Sequence, residues 1–220
     1  MKFPNAYKGV KKLFICELIL IITGILFVVA AILAAVGIKN EGALLAAGGM
    51  ILGTGIAAIV VFILQLVGLH QGGKDEILIK NAFFATILGI LVGVVSSTLG
   101  GLKNQTDALK IVVTILDSVE TLATLFASYY VLLGISSLSG KLSDKAMEKE
   151  GKSLANWVVC LFAVSIVLDV LGGIFKALPS SPEWLNVIAA ILAIGAAIAE
   201  LVVYVVTVLY YKKAVKMLKK

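Results

Sequence analysis

The chain has no arginine, one histidine, two cysteines and three prolines in 220 residues. Each scarcity excludes something. His-Glu-x-x-His and Cys-x-x-Cys are both missing, and so are a Walker loop and a Gly-x-Ser-x-Gly elbow, so the usual metal, nucleotide and acyl-transfer chemistries have no foothold. The expectation is a protein that is not an enzyme and carries no cofactor. Intramembrane proteolysis by an aspartate pair would need Asp117 with Asp169, but the flanking motifs of such proteases are missing. Cys16 and Cys160 lie inside apolar runs and read as small packing residues rather than as a disulfide or metal site. Pro4, Pro179 and Pro182 interrupt no long apolar run. Unbroken helices are expected, which argues against folds built on Pro-broken transport helices. The lack of arginine is a mark of AT-rich coding, as in low-GC bacteria and archaea, where such a chain would sit in the cytoplasmic (inner) membrane.

What is present is apolar length. The chain is 60% hydrophobic with a mean hydropathy of +1.08, against the 45–50% apolar content typical of soluble domains. The excess falls into six runs: Leu13–Ile38, Ala43–Leu69, Ile77–Leu99, Ile111–Leu138, Leu154–Leu178 and Trp184–Tyr211. Each has the length that crosses a bilayer, about 20 residues. Little chain remains between them, so the expectation is an all-α membrane protein, one transmembrane domain over 1–220. The first run is too long for a signal peptide and no A-x-A site follows it, so it reads as a retained helix.

All 19 basic residues are lysine, and their distribution predicts topology. Lys2, Lys8, Lys11 and Lys12 precede the first run, and Lys74 and Lys80 fall at the second connection. Lys141, Lys145, Lys149 and Lys152 fall at the fourth, and five more close the tail. The opposite side holds only Lys39, Lys103, Lys110 and Lys176. The positive-inside rule then puts both termini in the cytoplasm. The net charge of +6 is explained by lysines at a surface of anionic lipid, and no nucleic-acid partner is expected. Trp157, Trp184, Tyr210 and Tyr211 fall near run ends and read as interfacial anchors. The polar stretch after the fourth run suggests a short surface helix over Lys141–Glu150, and the lysine-rich tail reads as an amphipathic continuation of the sixth helix.

The six runs also resemble one another in pairs. Gly37-Ile38-Lys39-Asn40 and Gly101-Leu102-Lys103-Asn104 close the first and third runs, 64 residues apart. Glu17, Asn81 and Asn156 take similar frames early in the odd runs, and Gly68-Leu69 and Gly134-Ile135 similar exits in the even ones. Two readings stand: three parallel helical-hairpin repeats (13–75, 77–140 and 154–216) around a pseudo-threefold axis along the membrane normal, or chance likeness between apolar runs. Small residues at spacing four, such as Gly49 with Gly53 and Ala85 with Gly89 and Gly93, mark faces where helices can pack closely.

The functional signal is acidic. Asp117, Glu120, Asp169 and Glu200 lie inside the apolar runs with no lysine near their middles. A carboxylate there costs roughly 2.5–3.5 kcal/mol on insertion scales. Asp117, Glu120, Thr121, Thr124 and Ser128 share one helical face, as do Glu200, Tyr204, Thr207 and Tyr211; Thr54 and Gln65 form a poorer stripe in the second run. From the run centres, Glu120 lies within about 3 Å of mid-bilayer and Asp117 about 7 Å toward the outside. Asp169 and Glu200 lie roughly 4.5 Å to either side. Two accounts compete. Each acid is protonated and bonds a neighbouring helix, or together they bind a proton or a hard cation, which carboxylate, hydroxyl and carbonyl oxygens suit. The leading expectation is a transporter or channel for a cation or a cation- or proton-coupled small solute, its path formed by Asp117, Glu120, Asp169, Glu200, Thr124, Ser128, Tyr204 and Gln65. The alternative is a non-transporting membrane scaffold or partner subunit of a larger assembly.

Overall fold

The computed structural model describes residues 2–36, 41–102, 106–177 and 183–219, and within them leaves the side chains of 35–36, 41, 43–44, 107, 110, 165–177 and 183–200 undescribed. The described residues form six helices and no strand: α1 (Pro4–Val36), α2 (Glu41–Gly72), α3 (Ile77–Gly100), α4 (Asp107–Lys141), α5 (Lys145–Ala177) and α6 (Glu183–Lys219). Each contains the body of one apolar run. Four hold stretches long and apolar enough to cross a membrane: Pro4–Ala34, Leu45–Gly72, Ile77–Gly100 and Ile111–Lys141.

Two boundaries show why the helices stop where they do. Glu76 sits in extended backbone before α3, and its carboxylate accepts from the Leu78 amide, relieving one of the orphan donors of the first turn. At the end of α4 the amide of Asp144 bonds the Ser139 carbonyl at 2.9 Å and that of Ser143 bonds Gly140 at 3.0 Å. This is a Schellman ending, and Ser143 takes the left-handed position at φ 63°. Asp144 then caps α5, accepting from the Met147 amide at 3.1 Å. The turn is therefore three residues long. It replaces the separate surface helix expected over Lys141–Glu150. The polar run before it stays helical because its hydroxyls are satisfied: Ser136 donates to the Glu148 carbonyl at 2.7 Å and Ser139 to Ile135 at 2.8 Å.

The chain packs as two compact units, one of Met1–Asp75 with Tyr211–Lys220 and the other of Glu76–Tyr210. In the first, α1 packs on α2. Gly9 makes this approach close: a Cβ there would lie 2.5 Å from the Gly68 carbonyl oxygen and 2.6 Å from the Gly72 nitrogen. Cys16 is buried, its thiol directed at the Val61 carbonyl at 3.5 Å. Asp75 ties the hairpin shut, accepting from the amides of Asn5 and Ala6 at 2.8 Å each and from the Asn5 side chain at 2.9 Å. It thereby serves the unpaired amides at the start of α1. The tail is helical to Lys219, with Ala214 and Leu218 buried and Lys212, Lys213, Lys216 and Lys219 exposed.

In the second unit α3 packs on α4 and α4 on α5. Tyr210, at the end of this unit's part of α6, is fully buried. Its hydroxyl donates to the Met147 carbonyl at 3.3 Å and lies over Gly151, where a Cβ would come within 2.1 Å of it. Tyr210 and Tyr211 are thus buried packing residues and not the interfacial anchors expected of them. Away from these tight ends the helices expose their apolar faces. Leu52 is 72%, Ile56 65% and Ile59 62% exposed on α2. Faces of this kind rarely persist in water and are compatible with a lipid surround. Gly49 and Gly53 lie on this open helix, and among the described residues a Cβ at either would meet nothing within 4 Å.

Candidate functional site

The polar stripe of α4 lies in the second unit, and α3 is shaped to receive part of it. Close approaches step along the hairpin in antiparallel register. Gly134 faces Ile79, Gly89 faces Ala123 and Gly93 faces Glu120, while Ser96 donates to the Asp117 carboxylate. The small side of α3 at Gly89, Gly93 and Ser96 lets α4 come near, as spacing-four residues do between membrane helices. Ser96 is buried at 2% exposure, so its hydroxyl must find a partner, and Asp117 supplies one. The Glu120 carboxyl lies flat against Gly93: a Cβ on that glycine would fall 2.7 Å from its Cδ and 2.7 Å from Oε1.

On its other side Glu120 opens into a cleft of about 380 Å³ between α4 and α5, lined also by Thr121, Thr124, Leu125, Ser128 and Phe162. Thr121 donates its hydroxyl proton to the Asp117 carbonyl at 2.8 Å, and Thr124 to the Glu120 carbonyl at 3.1 Å. A threonine that donates back into its own helix keeps its oxygen lone pairs for another partner. The cleft therefore presents a carboxylate with hydroxyl oxygens that act as acceptors, over an apolar floor of Leu125 and Phe162. This set suits a proton or a hard cation. Among the described residues no group of three or more His, Cys, Asp or Glu forms a metal site. An ion at Glu120 would thus rest on one carboxylate and neutral oxygens.

The other expected path residues distribute as follows. Asp117 is spent on α3, Glu120, Thr124 and Ser128 border the cleft, and Tyr204 is half-buried on α6 outside it. Gln65 is half-buried in the first unit. The side chains of Asp169 and Glu200 lie outside the described residues, as does Asn104 of the Asn-Gln-Thr glycosylation pattern.

One acid escaped the sequence reading. Glu76 is 3% exposed, and it accepts from Lys141 Nζ at 2.6 Å and from the Ser137 hydroxyl at 3.0 Å, besides capping α3. The signal was an acid set directly before an apolar run, which is a helix-start mark. A second cleft of about 580 Å³ borders this pair, lined in part by Ser137, Lys141, Glu148 and Lys152. Its charges are matched in pairs, since Lys152 also meets Glu148 at 2.6 Å.

No protein-family model, no curated protein and no solved structure matches this chain.

Proposed function

We propose that the protein is a multi-pass component of the cytoplasmic membrane, with both termini in the cytoplasm, that moves a proton or a small cation, alone or coupled to a small solute, through the second unit. The observation that carries this reading is the Glu120 cleft: one carboxylate, with Thr121, Thr124 and Ser128, bordering an open cleft of about 380 Å³ between α4 and α5. A carboxylate at such a position is costly unless it is protonated, hydrated or ion-bound. The surrounding oxygens favour the last two. Asp169 and Glu200, on α5 and α6, would continue the path in this reading, and Thr124 and Ser128 would line it. The test is flux in proteoliposomes. Glu120→Gln and Glu200→Gln abolish proton or cation flux while expression and helicity stay normal, and normal flux in both variants would sink the proposal.

One observation favours the alternative of a non-transporting scaffold or partner subunit: Asp117 is used for an inter-helix bond to Ser96, as a structural acid would be. A stoichiometric partner recovered from native membranes, together with absent flux, would decide for that reading.

A further inference from the structure

The described residues of the second unit line another groove besides the acidic cleft. This groove, of about 790 Å³, lies between α5 and α6, a volume in the range of pockets that bury small ligands. Its α5 wall is a single stripe. Lys149, Glu150 and Ser153 form the polar end beside Ala146, and Leu154, Trp157 and Leu161 continue it. Its α6 wall is apolar throughout, made of Val202, Val203 and Val206. Charge and hydroxyl stand at one end and hydrocarbon at the other. From Lys149 to Leu161 the groove runs roughly 18 Å along the helix, close to the depth of one leaflet, about half of a 30 Å hydrocarbon core. Trp157, 58% exposed, stands where the polar lining gives way to apolar, the level that tryptophans take at a membrane surface.

We infer that this groove holds one zwitterionic phospholipid. An acyl chain lies along Leu154, Leu161 and the three valines, and the phosphate sits near Ser153 with Lys149 as its counter-charge. The mouth argues for a headgroup of both signs. Lys149 and Glu150 line it together and their charges cancel, so an added net negative charge gains nothing there. A lysine stem can lie along the apolar wall while its ammonium reaches a phosphate. This inference rests on the membrane location proposed above and not on transport.

Native mass spectrometry of the full chain, extracted in mild detergent and offered phosphatidylethanolamine or phosphatidylglycerol, reads the site directly. The wild-type chain retains one phosphatidylethanolamine and prefers it over phosphatidylglycerol. Val202→Trp, at a side chain 55% exposed on the groove wall, lowers retention roughly tenfold or more, the effect of excluding two methylenes or so. Ile115→Trp, at a 57% exposed position on α4 outside the groove, leaves it unchanged and controls for an added indole. Equal retention in the Val202 variant, retention of no lipid, or preference for the anionic lipid overturns the inference. Alkaline extraction of native membranes separates the two claims. A chain that stays in the pellet yet holds no lipid contradicts only the groove assignment, whereas a chain released without detergent contradicts the membrane location itself.

Discussion

The carboxyl of Glu120 on α4 rests against the backbone of Gly93 on α3 so closely that a Cβ on the glycine would lie 2.7 Å from the carboxyl carbon. The glycine leaves room there for a neighbour's functional group, and its backbone conformation does not call for it. Gly93→Ala therefore pushes the Glu120 carboxyl aside, a shift that the flexible end of that side chain makes at little cost in stability. In proteoliposomes this variant loses flux by roughly tenfold, equivalent to about 1.4 kcal/mol in positioning. Gly49→Ala, where a Cβ meets no neighbour among the described residues, keeps wild-type flux.

Glu76 joins two helices at one buried carboxylate: the first turn of α3, and Ser137 and Lys141 near the end of α4. Glu76→Ala removes a helix cap and the charged acceptor together. The expected loss is about 2–3 kcal/mol of unfolding free energy in mixed micelles. Lys141 is 48% exposed and can turn to water, so the ion pair itself contributes little of this. Glu76→Gln keeps much of the cap and loses less.

Gly151 and Tyr210 are coupled in the same way as Gly93 and Glu120. Gly151→Ala places a Cβ 2.1 Å from the tyrosine oxygen and destabilises by about 1–3 kcal/mol. Tyr210→Phe deletes that oxygen but gives up the bond to Met147. The double variant is then more stable than the two single losses added together, and a double-mutant cycle measures the difference.

Ser143 occupies the left-handed position that ends α4, at φ 63°, where a side chain costs about 1–2 kcal/mol. Ser143→Gly relieves that cost and offsets part of it through the looser unfolded chain. A net gain of about 0.5–1 kcal/mol is expected, read as a raised midpoint in thermal or denaturant unfolding.

These sites also show which parts of the molecule were legible in the sequence. The bodies of the six helices were, because long apolar runs without internal proline admit little else. The ends were not. The polar stretch after the fourth run reads as a separate short helix over Lys141–Glu150, yet α4 continues through it to Lys141 because Ser136, Ser137 and Ser139 each find an acceptor. The turn after it carries no glycine, since Ser143 takes the position a glycine would have marked. Spacing of four was ambiguous in the same manner: Gly89 and Gly93 sit under α4, while Gly49 and Gly53 meet no neighbour among the described residues. Periodicity names a face but not the neighbour that covers it. For that reason the α4 stripe was found as one set of polar residues, yet it serves two neighbours. Asp117 bonds α3, Glu120 touches α3 and also borders the cleft, and Thr124 and Ser128 look toward α5.

The central claim is that the Glu120 carboxyl is a proton- or cation-binding group inside the membrane. Labelling of native vesicles with a membrane-permeant carbodiimide, read by peptide mass spectrometry, tests it most directly. The account predicts that Glu120 is modified, and that raising pH or adding one of Na⁺, K⁺, Mg²⁺ or Ca²⁺ protects it in a concentration-dependent way. A Glu120 that is never modified, or is modified equally at every pH and with every cation, would contradict it.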